Sequence, residues 1–492
     1  MSLINITNLT FSYDGGCENI FENVSFQIDT DWKLGFTGRN GRGKTTFLNL
    51  LMKRFDYSGS ISSSVSFEYF PCEVNGELMD TNAVVNTIIS GYQDWQFIRE
   101  LNLLGVSSDV IYRQFNTLSN GEQTKVLLAA LFLKENRFLL IDEPTNHLDM
   151  NGRRIVSEYL RSKCGFILVS HDRAFLDNCI DHILSINRTN IEIQKGNFSS
   201  WWHNKQLQDN LEIARNDVLK RGIKRMVTSA RRVSDWSDRV ERSKKGDRPS
   251  GIKPDKGYIG HKSAKMMKRS KVIESRVQTA IEEKSALLKN IETASSLKIH
   301  PLRYHTDRMV HLEDINIIFG KRKICEGVSF SIQSGDRIAL CGKNGSGKSS
   351  IAKLILGETI PYQGIIRKGS RLKISYVGQD ASGLVGSLTD YARESGIDET
   401  LFKTILRKLD FSRGIFDMDI SDFSDGQKKK VMIVRSLCES AHLYIWDEPL
   451  NCIDVISRMQ IEDLLRYYKP TLLFIEHDRA FCDNIATKTI LL

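Results

Sequence analysis

GRNGRGKTT (residues 38–46) and GKNGSGKSS (residues 342–350) are two copies of one nine-residue design, and they decide the fold. Each follows a short apolar run, Leu34-Gly35-Phe36 in the first case and Ile338-Ala339-Leu340 in the second. An apolar strand that turns through glycines into a helix wraps backbone N–H groups around an anion, with the positive end of the helix behind them. Gly38, Asn40, Gly41, Gly43, Lys44, Thr45 and Thr46 are thus read as one phosphate-binding loop. Gly342, Asn344, Gly345, Gly347, Lys348, Ser349 and Ser350 are read as the other. Lys44 and Lys348 are placed for the terminal phosphates of a nucleotide, and Thr45 and Ser349 supply a hydroxyl to Mg²⁺.

Three more pairs follow in the same order. LSNGEQ (118–123) matches FSDGQK (423–428), FLLIDEPTNHLD (138–149) matches LYIWDEPLNCID (443–454), and SHDRAFLDN (170–178) matches EHDRAFCDN (476–484). The separations Lys44 to Lys348, Ser119 to Ser424, Glu143 to Glu448 and His171 to His477 stay between 304 and 306 residues. Four motifs in one order at a nearly constant offset mean a duplication. The expected fold class is α/β, with two P-loop domains over residues 1–200 and 301–492 and a linker over 201–300.

Residues 138–141 and 443–446 read as buried strands, each ending in adjacent acids. Asp142 and Asp447 would face the metal, while Glu143 and Glu448 would polarise the attacking water. A surface turn carrying two acids is the alternative, and the apolar run before each pair speaks against it. His171 and His477 follow apolar strands (166–169 and 472–475). Taken singly, either is an ordinary capping or surface histidine; their shared register is what points to the γ-phosphate.

The linker holds the charge. Residues 202–298 contain 24 Lys/Arg against 12 Asp/Glu, whereas the rest of the chain carries 45 against 48. Leu207, Leu211, Ala214 and Val218 recur at helical spacing, as do Leu219, Ile223, Met226, Ala230 and Val233, and then Ile273, Val277, Ala280, Leu287 and Ile291. Two such stripes find a partner in each other as an antiparallel pair. The expected first helix, 202–238, is about 55 Å long at 1.5 Å per residue. RVERSKKGDRPSGIKPDKGYIG (239–260), rich in Gly and Pro, is the expected interhelical loop. A basic helical needle with a Gly/Pro tip suits a folded polyanion, nucleic acid first. Candidate phosphate contacts are Arg239, Arg242, Lys244, Lys245 and Arg248 on one side, and Lys262, Lys265, Lys268, Arg269 and Lys271 on the other; a solvated helix face is the alternative. Ile252, Lys253, Pro254, Asp255 and Lys256 form the expected tip, with Tyr258 its nearest aromatic.

The longest apolar run, residues 126–133, falls far short of the roughly 18–20 residues of a membrane span, and residues 1–16 show no signal-peptide pattern. Nine scattered cysteines without CxxC pairing fit reduced thiols in the cytoplasm.

The duplicated motifs resemble those of the ATP-binding-cassette family, LSNGEQ and FSDGQK corresponding to its signature. The resemblance implies two cassettes paired head to tail within one monomer, so that each ATP is shared. One ATP would sit on Lys44, Thr45, Asp142 and Glu143, capped by Ser424 and Gly426; the other on Lys348, Ser349, Asp447 and Glu448, capped by Ser119 and Gly121. Tyr13 and Phe319 resemble the aromatics that stack on adenine, although either suits an ordinary strand aromatic. The family places a glutamine near Mg²⁺ and the lytic water. Gln379 stands there in the second copy, but Cys72 stands there in the first, so the two sites are expected to differ. A redox role for Cys72 is the less favoured reading.

Two cassettes joined by a charged helical pair resemble the ABC-F class of ribosome-associated ATPases, and KGNFSSWW (195–202) resembles the end of the first cassette in that class. The intervals Cys72–Ser119 and Gln379–Ser424 are nearly equal, which argues against an extra arm in the first cassette. GYIGHKSAKMMKRSK (257–271), the long loop and YIWDEPLN (444–451) resemble the Lsa-type antibiotic-resistance members. That resemblance implies a cytoplasmic protein bound to the bacterial 70S ribosome. Its linker would enter the tRNA exit site, displace the peptidyl-site tRNA and bring its loop toward 23S rRNA at the peptidyl-transferase centre, so that bound lincosamide, pleuromutilin or streptogramin A drugs are lost. Neither a membrane nor DNA is an expected partner. Two rivals stand beside it, a translation regulator of the same class without drug protection and a cassette subunit feeding an efflux pump.

Overall fold

A computed structural model describes residues 2–492 apart from 14–18, 73, 75–78, 90, 135, 187–190, 243–255, 289–296 and 320–321; the side chains of 230, 233, 234, 237, 238, 240–242, 256, 259, 263, 284–288, 319 and 322 are also outside the description. The chain divides into two units, residues 1–199 with 294–492, and residues 200–293. Both cassettes therefore share one unit, and the linker is a unit of its own.

Each cassette is built around a largely parallel sheet whose central strands are buried on both faces. In the first, the strand order is Ser66–Phe70, Arg137–Asp142, Phe166–Val169, Lys33–Thr37, His182–Ile186, Ile191–Lys195, and only the last pairing is antiparallel. In the second it is Ile374–Val377, Leu443–Asp447, Leu472–Ile475, Arg337–Cys341, Lys488–Leu491, parallel throughout. Unbroken apolar runs such as Phe166-Ile-Leu-Val are what a strand covered by helices on both sides demands, because neither face meets water. Burying each such side chain contributes about 1.5–3 kcal/mol. A three-stranded antiparallel sheet flanks each core, Phe21–Asp29, Leu3–Phe11, Ser58–Ser62 in one and Arg322–Gln333, Arg308–Phe319, Tyr362–Lys368 in the other.

Register fixes where the chemistry sits. Gly35 pairs with Leu168 and Ile141 with Leu168, so the P-loop, the acids and the histidine all leave the carboxyl ends of adjacent strands. The second cassette repeats this, Ala339 pairing with Phe474 and Trp446 with Phe474. Ligands of open parallel sheets bind at that edge.

The linker unit is an antiparallel helical hairpin, and it differs from expectation in three ways. Its helices, Phe198–Arg242 and Lys256–Leu288, span 45 and 33 residues, about 68 and 50 Å. Gly257 and Gly260 are helical rather than part of the loop; each costs about 1 kcal/mol against alanine, which cooperative extension of a long helix outweighs. Finally, Leu207, Leu211 and Val218 are exposed, as is Ala214. The less exposed positions among the described side chains are instead buried Asn216 with half-buried Leu219, Ile223 and Val227 on the first helix, and buried Ser270 and Val277 with half-buried Ile273 and Ala280 on the second. Met226 is exposed, and Ala230, Val233, Leu287 and Ile291 lie outside the described side chains.

Candidate functional site

Each P-loop ends in a glycine in the left-handed region that caps the following helix, Gly43 at φ 86° before Lys44–Leu51 and Gly347 at φ 94° before Lys348–Leu356. A Cβ on Gly43 would lie 2.5 Å from Ile20 Cγ2, and one on Gly347 would lie 2.8 Å from Ile324 Cγ2. Glycine is required there by both backbone and space. Lys44 Nζ donates to Gly38 O at 2.8 Å and Arg39 O at 3.1 Å. Lys348 Nζ donates to Gly342 O and Lys343 O, each at 2.9 Å. Burial lowers the pKa of both lysines against the pull of the acids around them.

The acids stand where the strands end. Thr45 Oγ1 and Tyr69 Oη both donate to Asp142 Oδ2 at 3.0 Å. Asp447 is 1 % exposed, and neither of its carboxylate oxygens has a hydrogen-bond partner among the described residues. Burial raises the pKa of both aspartates. Glu143 and Glu448 hold left-handed backbones, φ 49° and 47°, a strain of about 1–3 kcal/mol for a non-glycine residue. Backbone bonds to the neighbouring strand, Glu143 N to Val169 O at 2.9 Å and Glu448 N to Ile475 O at 3.0 Å, hold them there. His171 Nε2 lies 3.4 Å from Glu143 Oε1, and His477 Nε2 lies 3.5 Å from Glu448 Oε1.

The two glutamates nevertheless differ. Gln379 Nε2 and Asn451 Nδ2 donate to Glu448 Oε2 at 3.0 and 2.7 Å. Burial acts to raise the pKa of Glu448, but His477, the Gln379 amide and the Lys348 charge outweigh it and the group is held low. Glu143 has no such partner on Oε1, and burial beside Asp142 pushes it up to about 8. Burial likewise pushes the Cys72 thiol up, which argues against a reactive thiolate.

The signature motifs turn out to be helix N-termini. Ser119 caps Asn120–Phe132 in a capping box, its N–H donating to Glu122 Oε2 at 2.9 Å while Glu122 N donates to Ser119 Oγ at 3.3 Å. Ser424 and Gln427 do the same for Asp425–Cys438, at 2.9 and 3.4 Å. Ser-x-x-Glu/Gln before an apolar run is a helix-start signal legible in the sequence. Each signature helix points its positive end at the other cassette's loop. A cavity of about 760 Å³ is lined by Asn344, Lys348, Gln379, Glu448 and His477 from the second cassette and by Ser119 and Gly121 from the first. Lys125, His147 and Asp149 also line it, residues that motif reading passed over. On the other side Asn40 Nδ2 donates to Cys452 O at 2.7 Å, and a Cβ on Gly426 would lie 2.6 Å from that amide nitrogen. Arg42 pairs with Asp410 at 2.9 Å across the same junction. Tyr13 Oη shares a hydrogen bond of 2.8 Å with Thr46 Oγ1, which places the ring beside the first loop; the Phe319 side chain lies outside the described residues.

Of the linker candidates, Arg239, Tyr258, Lys262, Lys265, Lys268, Arg269 and Lys271 are exposed. Lys244, Lys245, Arg248, Ile252, Lys253, Pro254 and Asp255, with the side chains of Arg242 and Lys256, lie outside the described residues. No helix among the described residues is long and apolar enough to cross a membrane.

Two P-loop domains in one chain, each facing the other's signature helix, define a tandem-cassette nucleotide-binding protein. The model of the family described as ABC transporter matches residues 21–146 and again 325–451, more than half of the chain, and the chain belongs to that family of ATP-binding proteins. It is 25 % identical over 499 residues to the ribosome protection protein VmlR of Bacillus subtilis, covering all of this chain and 86 % of the relative. It is 27 % identical to the erythromycin resistance ATP-binding protein MsrA of Staphylococcus epidermidis (96 % and 93 %) and to the ATP-binding protein Uup of Caulobacter vibrioides (97 % and 75 %). Among solved structures, the archaeal ribosome recycling factor aABCE1 in complex with the stalk protein aP1 shares the fold at a TM-score of 0.63 and 16 % identity, over 98 % of this chain and 87 % of that one.

Proposed function

We propose that the protein is an ABC-F ATPase that binds the bacterial 70S ribosome and protects it from lincosamide, pleuromutilin and streptogramin A antibiotics. One observation carries this reading: the helical hairpin between the cassettes is a separate unit with an exposed basic surface. Cassettes alone would serve transport as well as translation. A stiff reach of about 50 Å or more suits entry between RNA surfaces, and exposed Lys and Arg suit their phosphates. Relatives named for ribosome protection and erythromycin resistance span nearly the same length, which supports it further. In this reading the linker enters the exit site, displaces peptidyl-site tRNA and shifts 23S rRNA, with drug loss as the consequence.

The site residues fit ATP with Mg²⁺. Thr45 with Asp142, and Ser349 with Asp447, offer the hard oxygen ligands Mg²⁺ takes, and the unpartnered buried oxygens of Asp447 suit a cation. Gln379 commits its amide nitrogen to Glu448, so its carbonyl oxygen is the atom it has for the metal. The cation would neutralise phosphate charge. Glu448, kept ionised and fixed by Gln379 and Asn451, would accept the proton of an attacking water, with His477 positioned at its other oxygen. Glu143 and His171 would repeat this at the Lys44 site. ATP held between loop and opposing signature would draw the cassettes together and favour ribosome binding, and its cleavage would release the protein.

Rescue of cell-free translation by the purified protein tests the proposal. Protection at inhibitory lincosamide supports it. Loss of protection in the purified reaction, together with lowered drug accumulation in cells, points to efflux instead.

A further inference from the structure

A second, smaller cavity of about 250 Å³ lies behind His477, whose imidazole also lines the large cavity of the Lys348 site. Its other walls come from the first cassette's helix Met150–Arg161, from Asp172 and the helix after it, and from Arg479 of the second cassette. Duplication supplies an internal control. The counterparts of Asn151, Arg154, Ser157 and Arg479 at the opposite junction are Ile456, Met459, Glu462 and Arg173. There the arginine is committed: Arg173 pairs with Glu462, Asn484 Nδ2 also donates to Glu462 at 3.4 Å, and Ile456 is buried. On this side Ser157 replaces the carboxylate, and among the described residues Arg479 pairs with the exposed Asp483 at 3.5 Å. Arg154 adds a cation that Met459 lacks, held by an exposed pair with Glu158 at 2.9 Å. Exposed pairs of this kind are weak and exchangeable. Arg153 and Asp172 cancel one another at 2.9 Å, as Arg458 and Asp478 do at 3.1 Å opposite. The pocket is therefore two charges more positive than the matching place at the opposite junction, where Glu462 neutralises Arg173.

We propose that this pocket is a binding site for inorganic phosphate. Two guanidinium groups, a hydroxyl and the Asn151 and Asn178 amides match a small tetrahedral oxyanion, which arginine forks bind bidentately. Its place behind His477 makes the product of the Lys348 site one source and free phosphate the other. The product source rests on the hydrolysis proposed above; the binding site does not.

The test uses the full chain with a non-hydrolysable ATP analogue filling both nucleotide sites, titrated with radiolabelled inorganic phosphate. One saturable equivalent is expected. Arg154→Ala with Arg479→Ala, and separately Ser157→Glu, which rebuilds the ion pair of the other junction, should weaken binding at least tenfold. Should the wild-type chain bind no phosphate, or both variants bind it as the wild type does, the proposal falls. Quenched-flow cleavage and phosphate-release traces in a single turnover then distinguish the sources. A release rate altered threefold or more by Ser157→Glu, at unchanged cleavage, identifies the product; unchanged release with lost binding identifies free phosphate. A wild-type chain that cleaves no ATP overturns the hydrolysis reading and leaves the binding result standing.

Discussion

Gln379 donates to Glu448 across 3.0 Å, and the residue in its place in the first cassette is Cys72. The exchange removes an amide that, after the larger effect of His477, helps hold Glu448 ionised, while burial pushes Glu143 up to about 8. If both act as proton acceptors, they work over different pH ranges. In Glu448→Gln protein, where Glu143 alone turns over, ATPase activity should rise about tenfold from pH 7 to pH 9 as the carboxylate ionises. In Glu143→Gln protein it should stay flat over that interval, because Glu448 is held low. Adding Cys72→Gln to the Glu448→Gln chain should move the rise to lower pH. Superimposable profiles would remove the argument. The stability sign is opposite to the usual carboxylate case: the folded state keeps a proton on Glu143 that the unfolded chain has lost, so this group weakens folding as pH climbs from about 4.5 to 8.

The junctions also differ in clearance. A Cβ on Gly426 would lie 2.4 Å from Cys452 O of its own cassette and 2.6 Å from Asn40 Nδ2 of the opposite one, whereas one on Gly121 would meet His147 O of its own cassette at 3.3 Å and no atom of the opposite cassette within 4 Å among the described residues. The first clash is with backbone, which has no room to turn aside. Gly426→Ala should therefore lower ATP turnover at least tenfold, and Gly121→Ala less than threefold, with both proteins folded by circular dichroism. Equal losses would show that the close approach of Gly426 is not needed for closure.

Much of this was legible in the sequence because the relevant residues are tied to backbone geometry. Glycines at the P-loops, the apolar run 138–141 and the acids after it announce themselves at fixed spacing, and the duplication sets each against its copy. The capping boxes at Ser119 and Ser424 were equally local. What periodicity misread was the linker, where Leu207, Leu211 and Val218 form a stripe as regular as the one that is buried. Spacing tells which side chains share a face; it does not tell which face is buried. The difference between Ser157 and Glu462 was in the sequence too, but it acquires meaning only once Arg173 and Arg479 are seen to occupy matching junctions.

Lys430 and Asp454 form a buried pair at 2.6 Å, and Asp454 Oδ1 also accepts from Ser457 N at 2.9 Å as the cap of Val455–Tyr468. Burial opposes the Asp454 charge, but Lys430 overcomes it and holds the carboxyl far below its ordinary pKa. Removing one member of such a pair strands the other, at a cost of about 3–5 kcal/mol. Asp454→Asn should lower the denaturant midpoint accordingly. Because the folded pKa is depressed, the contribution is present above the ordinary aspartate pKa near 4 and fades as pH falls below it. The variant's deficit should therefore shrink in acid. A stability within about 0.5 kcal/mol of wild type at pH 7, from the midpoint shift times the denaturant slope, would contradict this.

The proposed division of labour between cassettes and linker makes a paired prediction. With both glutamates replaced, Glu143→Gln and Glu448→Gln, ATP should bind and stay, so the protein should pellet with ribosomes and halt translation. Replacing residues 250–258 by a short Gly/Ser turn should do the reverse, leaving ATP turnover intact while drug protection disappears. The contrast follows from the division into two units: both P-loops, the acids after them and both signature helices lie within residues 1–199 and 294–492, and the basic hairpin belongs to the other unit. Binding of the double variant should weaken steeply with salt, since phosphate contacts release counterions. A double variant that pellets no more than its parent, or a shortened linker that still protects, would break the link between cassette closure and the linker's action on RNA.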